Sequence, residues 1–120
     1  MHSIRSQAKR LGYALAGIRY AVRFDRSFRM LWYGIGLVVI CCMVILSPLS
    51  YQEVLFLILA YVLILITELQ NSALEYALDH LHPDTHENIG RSKDMAAGSV
   101  LLAGLFLVIV LITLTGTRLF

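Results

Sequence analysis

Charge is scarce in this sequence. Only 15% of its 120 residues are Asp, Glu, Lys or Arg, against roughly a quarter in an average soluble domain. Two stretches, 30–52 and 95–117, carry no charge over 23 residues each, and 54–67 carries none over fourteen. That leaves no room for a separate soluble domain. Cysteine is limited to the adjacent pair Cys41 and Cys42. Neighbouring helical side chains point in different directions, so neither a disulfide framework nor a metal site is expected of them. Acid is almost missing from the N-terminal part, where Asp25 is the only carboxylate in the first 52 residues. The first 29 residues are polar and basic, so 30–52 reads as a retained span and not as a cleaved signal. No Gly-x-x-x-x-Gly-Lys-Ser/Thr loop and no soluble-kinase motif occurs, which argues against a soluble-kinase mechanism. Nor does any basic patch interleave with aromatics, so no nucleic-acid partner is expected.

What is present is apolar. The chain is 58% hydrophobic with mean hydropathy +0.74. Each 23-residue run exceeds the ~20 residues that cross a bilayer core as a helix. The reading is an all-α integral membrane protein with one membrane domain over 1–120. An amphipathic surface helix at 3–24 precedes spans at 30–50, 52–79 and 95–117, and 80–94 forms a loop. Seven of the ten Lys/Arg residues precede the first span, and Arg91 and Lys93 lie between the second and third. By the positive-inside rule the N-terminus and the 80–94 loop are cytoplasmic.

Leu11, Leu15, Ile18 and Val22 recur at helical spacing, while Lys9, Arg10, Arg19 and Arg23 sit off that face. This is the pattern of a helix lying on a membrane surface. Asp25, beside Arg23 and Arg26, reads by default as a local ion pair. Trp32 and Tyr33 suit the membrane interface, and Gly34 and Gly36 permit close helix packing. Pro83 interrupts the chain, with Asp84 expected to cap a new helix and Glu87 to complete a capping box. His80, His82 and His86 cluster there, but their spacing fits no compact zinc ligand set. The small residues Ala96, Ala97, Gly98, Ser99, Ala103 and Gly104 open the last span for tight packing.

The informative segment is Glu68-Leu-Gln-Asn-Ser-Ala-Leu-Glu-Tyr-Ala-Leu-Asp79. Glu68, Asn71, Glu75 and Asp79 step by three, four and four, which is one stripe of an α-helix. Ionisable groups at the inner end of a membrane helix are costly and point to function. Three helices are too few to enclose such a stripe, so self-association is expected. Carboxylates suit Mg²⁺ bound together with phosphate oxygens, a lysine holds phosphate, and a further carboxylate can take a proton from an alcohol. Those are the parts of phosphoryl transfer. A small proton-coupled transporter would also use an intramembrane Glu68, but it leaves Lys93-Asp94 without a role. A purely structural membrane module is the third reading.

Glu68-Leu-Gln-Asn-Ser-Ala-Leu-Glu75, then Asp79, His86-Glu87 and Gly90-Arg-Ser-Lys-Asp-Met-Ala-Ala-Gly-Ser-Val100 resemble the signature of the prokaryotic diacylglycerol kinases, a family that includes undecaprenol kinases. Gly12-Tyr13, Gly17-Ile18 and Phe28-Arg29 resemble its N-terminal region. The resemblance implies a homotrimer in the bacterial inner membrane, with active sites between protomers that move the γ-phosphate of ATP onto a lipid hydroxyl with Mg²⁺. It implies Glu68 as the base, and Asn71, Lys93 and Asp94 as further catalytic groups. Asp25 and Glu75 would hold the metal, with Asp25 standing where the family has a glutamate. Tyr13, Asp79, His86, Glu87, Lys93 and Asp94 fall at the nucleotide, and Lys9, Arg29 and Ser99 at the lipid. An arginine of the family's N-terminal region has only approximate counterparts in Arg5 and Lys9. Residues 90–95 resemble the diacylglycerol branch, whereas 96–100 and 17–23 resemble the undecaprenol branch. Diacylglycerol is the expected substrate and undecaprenol the alternative.

Overall fold

Four helices hold nearly all of the residues described by the computed structural model, which are 3–82, 84 and 86–120. They are α1 (Ile4–Phe24), α2 (Arg26–Ile45), α3 (Tyr51–Leu81) and α4 (Glu87–Leu119). The last three are long and apolar enough to cross a membrane.

Each helix starts on a side-chain cap. The Ser3 hydroxyl accepts the Ser6 N–H at 3.2 Å. At α3, Ser50 and Glu53 form a reciprocal capping box, with bonds of 3.2 and 2.9 Å. The cap of α4 differs from the expected one: it is His86, whose Nδ1 accepts the Asn88 N–H at 3.1 Å, and not Asp84. Glu87 pairs instead with Arg91 at 2.6 Å. α4 therefore begins at Glu87, and 87–94 is helix where a loop was expected. An acid in the first turn and an i, i+4 pair both favour that start. Pro83 lies outside the described residues.

α3 and α4 run antiparallel and supply most of the core. Leu57, Ala60 and Ile64 of α3 meet Ala103, Leu107, Val110 and Leu114 of α4, with Val39 from α2. The buried positions of α3 continue in register as Glu68 and Asn71. One helical face thus changes from aliphatic to polar part-way along the helix, and that change locates the site.

α2 contains a π-helical turn over Leu31–Ile35. There the Tyr61 hydroxyl donates to the Trp32 carbonyl at 2.5 Å. Gly36 permits this approach, since a Cβ would come within 3.0 Å of the Tyr61 oxygen, whereas Gly34 has nothing within 4 Å. At the end of the bundle remote from Asp79, Arg118 donates to both Glu53 oxygens at 2.7 and 3.1 Å, and to the carbonyls of Leu46 and Pro48 at 2.6 and 2.9 Å. The sequence reading missed this clamp. Its only sign was a lone cation after the last span.

α1 packs through its C-terminal end, where Ala21 is buried. Leu11 and Leu15 of the same helix remain exposed.

Candidate active site

The polar part of α3 lines a concavity of about 320 Å³. Glu68, Asn71, Ser72, Glu75, Tyr76 and Asp79 come from α3, and Asp25 and Ser27 come from the α1–α2 junction. The helical stripe read from sequence is thereby joined by the one N-terminal acid, across a separation that no periodicity could supply.

Glu68 and Asn71 are only 5% and 8% exposed. The Ser72 hydroxyl donates to Glu68 Oε1 at 3.3 Å, a partner one turn on that sequence reading did not single out. Asn71 Nδ2 donates to Glu75 Oε1 at 3.5 Å, a long bond that orients both groups. Asn71 Oδ1 is buried and has no hydrogen-bond partner among the described residues. A buried acceptor in that state carries a desolvation penalty until something donates to it or binds it.

Asp25 does not form the local ion pair expected beside Arg23 and Arg26: the ion pairs among the described residues involve other side chains. It caps twice instead. Its N–H donates to Ala21 O at 2.9 Å to close α1, and its Oδ1 accepts the Phe28 N–H at 3.2 Å to open α2. Phe28 is essentially fully buried, so the junction is anchored and Asp25 is held at the rim of the concavity.

Lys93 reaches the site through Asp79, with Nζ to Oδ1 at 2.5 Å. Asp94 follows it and is exposed. The other expected residues do not line the concavity. Tyr13 and Lys9 are exposed on α1, and His86 and Glu87 make the cap and ion pair described above. Arg29 Nη1 donates to the carbonyls of Arg23 and Val22 at 2.8 and 3.5 Å, closing the end of α1. Ser99 Oγ donates to Ala96 O at 2.6 Å.

Among the described residues, no three His, Cys, Asp or Glu side chains converge to hold a metal by themselves. The donors present nonetheless suit a hard divalent cation that arrives with a polyphosphate. Such an ion takes only one or two carboxylates and completes its shell with phosphate oxygens and water. Asp25 and Glu75 line one concavity, and the partnerless Asn71 Oδ1 is a ready acceptor for an ion-bound water.

Residues 12–115 match the family model described as prokaryotic diacylglycerol kinase. The diacylglycerol kinase of Escherichia coli (strain K12) is 34% identical over 96 residues, covering 79% of this chain and 76% of that protein. That of Haemophilus influenzae is 31% identical over 97 residues, covering 76% and 75%. That of Synechocystis sp. is 35% identical over 100 residues, covering 82% of this chain and 55% of a longer protein.

Proposed function

The chain belongs to the prokaryotic diacylglycerol kinase family, and from that membership we propose that it transfers the γ-phosphoryl group of ATP to the primary hydroxyl of diacylglycerol, giving phosphatidic acid and ADP. The observation that carries the reading is the gathering of Asp25, Glu68, Asn71, Glu75 and Asp79 around one concavity at the polar end of a membrane-length helix.

Glu68 takes the hydroxyl proton. Its burial beside Ser72 keeps the carboxylate away from bulk water and facing a lipid alcohol. The freed alkoxide oxygen bonds to the γ-phosphorus as the bond to the β,γ-bridging oxygen breaks, and ADP leaves with that electron pair. Asp25 and Glu75 would hold Mg²⁺, which would neutralise polyphosphate charge when bound. Asn71 orients Glu75. Lys93, aligned by Asp79, supplies positive charge toward the phosphates, and Asp94 positions the nucleotide beside it. Tyr13, His86 and Glu87 contact the nucleotide, while Lys9, Arg29 and Ser99 flank the lipid. α1 lies on the cytoplasmic leaflet, its exposed Leu11 and Leu15 turned toward acyl chains. The N-terminus and the 80–94 segment are cytoplasmic, in a bacterial inner membrane. Three copies assemble so that neighbouring protomers complete each site.

Glu68→Gln in purified protein tests the assignment. A general base contributes about 10²–10⁴-fold, so phosphate transfer to lipid should fall on that scale while the thermal midpoint is kept. Undiminished transfer would remove Glu68 from the role. Running diacylglycerol and undecaprenol side by side in one preparation identifies the lipid. Substrate flux in proteoliposomes without ATP would favour the transporter reading.

A further inference from the structure

A second, larger cavity of about 540 Å³ lies between α1 and α3. Asp25, Ser72 and Tyr76 line both this cavity and the acid-lined concavity, so the two are neighbours with a common wall. Their chemistry is opposite. The larger one has an apolar lining from Ala21, Phe24 and Leu69, and its polar groups are mainly donors: the phenols of Tyr20 and Tyr76 and the guanidinium of Arg26.

Those donors are well placed. Tyr20 of α1 and Tyr76 of α3 meet edge to face, with ring centroids 6.4 Å apart and planes at 77°. Each ring leans on an aromatic of its own helix, Tyr20 on Phe24 at 4.9 Å and Tyr76 on His80 at 4.4 Å. Aromatic packing of this kind fixes the rings, and the two hydroxyls lie close enough to interact, so that when one donates to its neighbour the other O–H is left for a ligand. Arg26 takes part in none of the ion pairs among the described residues. The acid in the lining, Asp25, already accepts a backbone N–H through one oxygen.

A ligand that fits must be largely apolar, must present a hydroxyl toward Glu68, and must carry hydrogen-bond acceptors close to that hydroxyl. Diacylglycerol has this layout, with two ester carbonyls within a few bonds of its alcohol. A polyprenol has hydrocarbon there, and would cover the donors while offering nothing in return. Sites built to hydrogen-bond a substrate reject analogues lacking the partner far more strongly than apolar pockets reject a change of shape.

We infer that Tyr20 and Tyr76, with Arg26 beside them, read the ester carbonyls of the acceptor and set its preference for diacylglycerol over a polyprenol. The inference rests on the lipid-kinase reading. It adds residues to that reading which neither the helical stripe nor the family resemblance assigned.

The test uses the full chain in mixed micelles with three acceptors: dioctanoylglycerol, the dioctyl diether of the same chain length, and a short polyprenol. The diether keeps shape and hydroxyl but has no carbonyl. The unsubstituted protein should favour the diester over the diether by at least ~10-fold in kcat/KM, chiefly through KM. The paired substitution Tyr20→Phe with Tyr76→Phe keeps both rings, and should bring diester and diether to within about twofold. The fall in kcat/KM should be larger on the diester than on the diether, and the ratio of the two is the quantity read. Equal use of diester and diether by the unsubstituted protein would overturn the inference, as would a preference surviving in the double variant or a preferred polyprenol. Phosphorylation of none of the three would instead bring down the kinase reading, and this inference with it.

Discussion

Lys93 Nζ donates to Asp79 Oδ1 at 2.5 Å and ties the polar end of α3 to the first turns of α4. Both partners are substantially solvated, with side chains 33% and 62% exposed. An ion pair in that setting contributes about 0–1 kcal/mol to stability, so its place at the rim of the acid-lined concavity points to a role in charge placement. Lys93→Ala should leave the thermal midpoint nearly unmoved. It should lower kcat/KM for ATP by about 10²-fold, the scale seen when one donor that stabilises transition-state charge is removed. Comparable losses of stability and activity would show that the pair is chiefly structural.

Asp25→Asn and Asp25→Ala separate the helix-capping role of Asp25 from the metal role proposed for it. Asparagine caps a helix about as well as aspartate, whereas alanine costs about 1 kcal/mol at such a position. The Asn variant should therefore fold with near-normal stability and lose most Mg²⁺-dependent activity. The Ala variant should lose both. Full activity in the Asn variant would remove Asp25 from the metal set.

Buried Asn71 Oδ1 lacks a partner among the described residues. Asn71→Leu removes that acceptor together with the bond to Glu75. The lost acceptor is one whose burial is costly, and the Glu75 carboxylate left behind is only part-buried and can be solvated, so the thermal midpoint should hold. The half-saturating Mg²⁺ concentration should rise severalfold as Glu75 loses its orientation. A destabilised protein with unchanged Mg²⁺ dependence would assign Asn71 to the fold alone.

Arg118 makes its bonds at the opposite end of the bundle from the site. Arg118→Ala leaves the Glu53 carboxylate and the Leu46 and Pro48 carbonyls without that partner. The thermal midpoint should fall by roughly 5 °C, the scale of one lost network in a small domain. Glu53→Gln should lower it less, and the two changes together should be less than additive. Activity below the transition should be unchanged, and a selective loss of activity would show coupling from this end of the bundle to the site.

Much of the architecture follows from strictly local regularities. Two uncharged stretches of 23 residues specify membrane-length helices outright, because helical rise sets the number of apolar residues needed to cross the core, and the fourteen-residue stretch reaches that length only with the helical stripe that continues it. The Glu68–Asn71–Glu75–Asp79 stripe is equally legible, since 3.6 residues per turn puts those positions on one face whatever lies around them. The bounds of the last helix were less legible. A polar segment reads as a loop by composition, yet an acidic first turn and the Glu87–Arg91 pair make it helix from Glu87 onward.

By itself, then, the sequence determined which segments are helical and membrane-length, and which residues share a face of α3, since both depend on spacing within one segment. Only the tertiary structure decided that Asp25 joins the α3 acids, that Lys93 meets Asp79, that Arg118 clamps Glu53, and that Tyr20 faces Tyr76 across a second cavity. Each of those meetings joins residues on different elements. Their distance is set by how the helices pack, and no periodicity along the chain encodes it.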